Sequence, residues 1–150
     1  MNSAQIRTNV VNGNEKVKYY RRIHEVTTED GMNLIMTRKT PMGRKPNGAV
    51  MLVHGLGQNR YSWTLSRRSL ENYLVKNGYE TFNVELRGHG LSRANGSDYP
   101  EKFETYIQYD MPAFFAAVLG IVGDAPLFFM GHSLGGSMAY CSAADYSEQL

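Results

Sequence analysis

The sequence predicts an α/β fold, a mostly parallel sheet with helices on both faces. Three observations predict it. Short apolar runs bounded by turn residues, at 49–53 and 127–130, have the length and continuity of strands covered on both sides. Stretches of helical spacing lie between such runs, and strands alternating with helices imply parallel pairing through right-handed crossovers. The last apolar run passes directly into Gly131-His132-Ser133-Leu134-Gly135, a G-x-S-x-G turn that belongs between a strand and a helix.

Each element follows in order. Residues 1–18 read as a loose polar lead-in without the apolar stretch of a signal peptide. Strands are expected at 19–28 and 32–39, joined at Glu29-Asp30-Gly31, where Asp-Gly supplies the turn. Leu34 and Met36 alternate with Asn33 and Thr37, the pattern of a half-buried outer strand. Residues 41–48 form a loop, and the cluster Arg38, Lys39, Arg44 and Lys45 around Pro41 and Pro46 reads as solvated. Ala49–Val53 is the first strand covered on both faces. Ser66 is the expected cap of a helix over 67–77, with Leu70, Tyr73 and Leu74 as its apolar stripe and Gly78 at its end. The next strand covers 79–86. Ile107, Met111, Phe114, Phe115, Val118 and Val122 recur at helical spacing over 103–122, where Pro112 must kink the helix or sit near its start. Functional loops gather at the carboxyl ends of such strands: 54–63, 87–100 and the turn around Ser133.

Composition narrows the function classes. The chain has 150 residues, the size of one domain, and no run approaches the ~20 apolar residues of a membrane span. Its single cysteine, Cys141, leaves no internal disulfide and suits a reducing compartment, so a cytoplasmic location is expected. Cys141 itself reads as a small buried residue on the last helix. The formal net charge is +2 with no basic helical stripe, so nucleic acid is not an expected partner.

The G-x-S-x-G turn carries the chemistry. A sharp strand-to-helix turn holds its serine in a strained backbone conformation and projects the hydroxyl, which makes Ser133 Oγ the candidate nucleophile of an acyl transfer. Gly131 and Gly135 remove side chains that would collide across the turn, and Gly136 is expected to let the next helix approach the sheet. An oxyanion then needs donors. The backbone N–H groups of Leu56 and Leu134 are assigned to it, Leu56 because His54-Gly55-Leu56-Gly57 leaves the first covered strand. Each such donor is worth about 3 kcal/mol in the transition state. Gly55 lets that backbone approach the substrate, and Gly55, Tyr61 and Trp63 are expected at the substrate pocket. His24, His54, His89 and His132 all read as structural, with His54 bracing its own loop. In the fold known for this turn the acid and the histidine follow the serine, yet residues 134–150 contain no histidine. Asp145 and Glu148 fall too soon, on the helix that begins at the serine.

Taken together, His54-Gly55-Leu56-Gly57, Asn77-Gly78-Tyr79, Arg87-Gly88-His89-Gly90-Leu91-Ser92 and Gly131-His132-Ser133-Leu134-Gly135-Gly136 resemble the α/β-hydrolase superfamily. The likeness is strongest to its monoacylglycerol lipase and lysophospholipase group, with Asp30-Gly31 and Pro126-Leu127-Phe128 in support. It covers residues 25–150 and implies the N-terminal half of that fold, a domain over 19–150 cut after the nucleophile helix. The triad acid and histidine then have no counterpart here, and the strand before Ser133 lies at an open sheet edge. The resemblance implies a serine carboxylic-ester hydrolase when full length, with this segment alone inactive. It implies a small-molecule or lipid ester as substrate, peripheral contact with lipid, and no metal or organic cofactor. An acyltransferase or thioesterase on the same fold stays open, as does a non-catalytic member of the superfamily. Epoxide-opening and dehalogenase-like members need a carboxylate where Ser133 stands. Glu85 departs from the pattern, since members of this superfamily usually carry Asp two residues before the Arg-Gly turn.

Overall fold

The computed structural model describes residues 3–148 and 150. Six strands, β1 (Gln5–Asn12), β2 (Glu15–Thr27), β3 (Asn33–Pro41), β4 (Ala49–Val53), β5 (Glu80–Glu85) and β6 (Leu127–Gly131), form one sheet in the order β1-β2-β3-β5-β4-β6. β4 pairs in parallel with both β5 and β6, and the remaining pairings are antiparallel. It follows that β2, β5, β4 and β6 run the same way, the mostly parallel sheet that alternating strands and helices imply. Among the described residues four α-helices accompany the strands: α1 (Leu70–Lys76), α2 (Gly90–Ala94), α3 (Met111–Val122) and α4 (Leu134–Tyr146).

The core lies on both faces of β4. Ala49, Met51 and Val53 pack with Phe114, Phe115 and Val118 of α3 and Met138 of α4. Val50 and Leu52 turn the other way, against Trp63 and Leu74. Successive strand residues alternate between faces, so a strand with apolar neighbours on both must read as a continuous apolar run. Each fully buried side chain of this size contributes roughly 1.5–3 kcal/mol. The register then positions the site. Val53 at the end of β4 sits opposite Val84 of β5 and Gly131 of β6, so the loops leaving these three strands emerge side by side.

Several local expectations need correction. Residues 1–18 are polar but not a loose lead-in. They carry β1 and the start of β2, a hairpin turned at Gly13, whose φ is +56°. Only Val11 of β1 is buried, so ladder hydrogen bonds hold an almost wholly polar outer strand that apolar periodicity does not reveal. β3 is an interior strand between β2 and β5, buried at most positions. Helix α1 is capped by Ser69, whose Oγ accepts the Asn72 N–H at 3.0 Å, and not by Ser66. Its buried face is Glu71, Asn72 and Val75, while Leu70 and Tyr73 are exposed. The reason lies across from it. Lys39, far from being solvated, is buried with its Nζ 2.7 Å from Glu71 Oε2 and 2.8 Å from Asn72 Oδ1.

Pro112 sits in the first turn of α3. The preceding turn, Tyr106–Asp110, is a π-helix in which the Met111 N–H reaches the Tyr106 carbonyl. A proline has no N–H and crowds the carbonyl four residues back, and a widened turn relieves both. Cys141 is exposed, because α4 packs at the outer strand β6 and turns much of its surface outward.

Candidate active site

The elbow begins where β6 ends. Ser133 has φ +53° and ψ −115° and is the one non-glycine residue with positive φ among the described residues. Such a conformation costs of order 1–3 kcal/mol and persists only where the surroundings impose it. The glycines supply those surroundings. A Cβ on Gly131 would run into the Gly135 carbonyl, and one on Gly135 would run into the Val53 carbonyl. Gly136 is different: a Cβ there would meet only the Gly131 carbonyl at 3.7 Å, an ordinary contact, so the approach of α4 does not depend on it. Ser133 is exposed, and Leu134 opens α4 with an N–H that no intrahelical carbonyl can reach.

The loop after β4 lies directly over this turn. A Cβ on Gly55 would stand 3.2 Å from Ser133 Cβ and 3.2 Å from His132 Nδ1, closer than most real contacts allow. Gly55 is therefore a close-approach glycine beside Ser133. The following residue, Leu56, has a side chain 65% exposed. Among the described residues neither the Leu56 nor the Leu134 N–H is donated to a protein acceptor. Gln58 links loop and elbow. Its Oε1 accepts from the Gly55 N–H at 3.1 Å and the Ser62 hydroxyl at 3.2 Å, and lies 3.1 Å from His132 Nδ1.

Two histidines are buried behind this loop. His54 Nδ1 is 2.8 Å from the Gly55 carbonyl, and its Nε2 accepts the Leu86 N–H at 3.2 Å. Burial lowers its pKa to about 4, so the ring is neutral at physiological pH. His89 makes the same two kinds of bond, from Nδ1 to the Arg87 carbonyl at 2.8 Å and to Nε2 from the Gly57 N–H at 3.1 Å. Burial also lowers its pKa. His24 lies on β2, away from this edge, with Nε2 buried and unpartnered.

The loop after β5 is held by charge. Arg87 grips Asp30 through two bonds of 2.7 and 2.9 Å and Asp110 through Nε at 2.6 Å. Asp30-Gly31 therefore matters beyond its turn, because it receives one side of the Arg87 fork. Asp110, buried in the π-helical turn, is a partner that no local motif announces. Glu85 resolves the one departure from the expected pattern. Its carboxylate takes both bonds from Arg60 Nη1 at 3.1 Å and accepts the Arg60 and Leu91 N–H groups, tying the loops after β4 and β5 together.

A cavity of about 650 Å³ opens beside the elbow strand, lined by Tyr61, Trp63, Leu65, Met130, Gly131 and His132 among others. Tyr61 and Trp63 both line this cavity, whereas Gly55 stands against Ser133 itself. Ser133, Leu134, Gly55 and Leu56 converge on one edge. None of the four histidines donates to or accepts from the Ser133 hydroxyl among the described residues.

This sheet, with a G-x-S-x-G turn at the end of β6 and a glycine loop over it, has the α/β-hydrolase fold. More narrowly, the family described as serine aminopeptidase, S33, matches residues 44–150, and the chain belongs to it. The chain is 30% identical over 140 residues to human lipase member N, covering 83% of this chain and 35% of that protein. It is also 31% identical over 108 residues to epoxide hydrolase 3 of Xenopus tropicalis, covering 72% and 27% respectively. A carboxyl esterase from Bacillus coagulans superimposes with a TM-score of 0.72 at 24% identity, over 87% of this chain and 42% of that one. The chain spans about a third of the length of the curated relatives it matches.

Proposed function

We propose that Ser133 is the nucleophile of a carboxylic-ester hydrolase that works through an acyl-enzyme. The observation that carries this reading is the pairing of a strained, exposed serine with the Gly55–Leu56 backbone held against it. Ser133 Oγ attacks the ester carbonyl, a general base takes its proton and passes it to the departing alcohol, and the acyl group stays on Ser133. The Leu56 and Leu134 N–H groups receive the negative charge on the carbonyl oxygen, and water then releases the acid. Support for an apolar acyl group comes from Trp63, Leu65 and Met130 at the cavity beside β6 and from lipase relatives. The epoxide hydrolase relative raises a rival, but epoxide opening through a covalent ester needs a carboxylate at position 133. A hydroxyl stands there instead.

In the complete enzyme a fluorophosphonate should label Ser133, and Ser133→Ala should abolish labelling and turnover together. Gly55→Val should crowd Ser133 and displace the Leu56 N–H, lowering kcat by on the order of 10²–10³, the scale of one lost oxyanion donor. Leu56→Met keeps the N–H and should act mainly on KM. Label mapped to another serine, or a folded Gly55→Val enzyme with wild-type kcat, would refute the assignment.

A further inference from the structure

Leu56 stands between two peptide groups, and each is held by a buried imidazole. The Gly55 carbonyl and the Leu56 N–H belong to one planar trans peptide and point in opposite directions. His54 Nδ1, 2.8 Å from that carbonyl, therefore also sets where the Leu56 N–H points. The next peptide carries the Gly57 N–H, which His89 Nε2 holds at 3.1 Å. Gly57 has φ +70°, a turn conformation that glycine adopts without strain. The far nitrogens complete the frame. His54 Nε2 takes the Leu86 N–H and His89 Nδ1 faces the Arg87 carbonyl, so both rings are fixed to the end of β5. The two rings lie 4.7 Å apart.

The pattern fixes the protonation state. A nitrogen that faces a carbonyl must donate and one that faces an N–H must accept, so each ring is neutral with its proton on Nδ1. We propose that His89, acting with His54, is a positioning residue that locks both peptides around Leu56 and thereby aims its N–H at the oxyanion. The proposal rests on the ester-hydrolase reading above and adds how its donor is held. Protonating His89 removes the acceptor for the Gly57 N–H and releases one side of the lock. Around His89 stand Glu85, which favours protonation, Arg93, which opposes it, the aromatic rings of Tyr99 and Tyr106, and His54. Burial outweighs Glu85 and keeps the neutral ring at physiological pH.

The test combines amide hydrogen exchange at Gly57 with Ser133 labelling by a small fluorophosphonate, both on the complete enzyme. His89→Phe keeps an aromatic ring without an acceptor, and His89→Gln restores an acceptor oxygen. Gly57 exchange should quicken at least about tenfold in His89→Phe and recover in His89→Gln. Labelling should slow on the order of 10²-fold in the first and return to within a few-fold in the second. In the wild type both should change together as pH falls below the ordinary histidine range. Equal Gly57 protection in His89→Phe, or wild-type labelling by a folded His89→Phe, overturns the proposal. Should His89→Phe fail to fold, the wild-type nitrogen shifts decide: a protonated Nε2 on His89 at neutral pH overturns it. A wild-type protein that takes no label defeats the ester-hydrolase reading instead, while Gly57 exchange still shows whether His89 holds the loop.

Discussion

At Ser133 the backbone is held where an L side chain is resisted, and stability is given up for an exposed hydroxyl. The φ of +53° at a residue that carries a Cβ makes that exchange measurable. Glycine occupies such a conformation without the Cβ penalty. Ser133→Gly should therefore raise stability by about 1 kcal/mol, whereas Ser133→Ala, which keeps the Cβ, should leave it nearly unchanged. Urea unfolding followed by circular dichroism checks both, and a destabilised glycine variant would mean the turn carries no strain. Ser133 and the G-x-S-x-G glycines were legible in the sequence because a steric rule with fixed offsets specifies them. Gln58, Glu85 and Asp110 were not, because their partners lie on other loops. Gln58 meets His132, Glu85 meets Arg60 and Asp110 meets Arg87 only once the strands align. His89 was legible as a turn residue, but its bond to Gly57 depends on two loops meeting.

Among the elements, legibility followed apolar periodicity. β4 and α3 were predictable because their packing surfaces are apolar, and residue type then reports burial directly. α1 was found where the sequence placed it, but its buried face was misread for the converse reason: it buries Glu71 and Asn72 against Lys39, so its exposed Leu70 and Tyr73 imitate a core stripe. The β1–β2 hairpin was missed because ladder bonds leave no trace in side-chain hydropathy. The junction of β6 and α4 separates two adjacent glycines, both of which the sequence assigned a steric role. Gly135→Ala would drive a Cβ into the Val53 carbonyl, and backbone in the sheet cannot retreat. Its cost should exceed about 3 kcal/mol, in the range of severe packing or strain lesions. Gly136→Ala meets only an ordinary contact and a helical backbone, so it should be neutral or stabilise by up to about 1 kcal/mol. Thermal unfolding of the two variants separates them, and equal losses would show that α4 approaches the sheet more closely than described.

Across the whole molecule, the sheet order fixed by strand pairing brings three loops together, and buried neutral imidazoles fasten two of them. This makes global stability depend on pH. An unfolded histidine takes a proton near its ordinary value of 6.5, whereas His54 in the fold refuses one until about pH 4. Between those values the unfolded chain binds more protons, so stability is full above 6.5 and is lost as the pH falls. One such site contributes up to about 1.4 kcal/mol per pH unit, or roughly 3 kcal/mol across the window. His89 and His24, both lowered by burial, act in the same direction. Asp110 opposes them. Burial raises its carboxyl from 3.8 to about 6, so in this range the folded state takes up a proton that the unfolded state does not, which offsets about one histidine. His54 begins to cost stability at about pH 6.5, before Asp110 begins to offset the loss at about 6. His89 and His24 add to the loss, so the net effect is destabilisation on acidification. The urea midpoint should fall steadily from pH 7 to pH 5. His54→Gln, which removes a titrating group, should flatten that slope while lowering the midpoint at pH 7 through lost loop contacts. A midpoint that held or rose on acidification would mean that the folded state tolerates charged imidazoles behind the Leu56 loop. The neutral-ring lock on that loop would then be wrong at the scale of the whole fold as well as at His89.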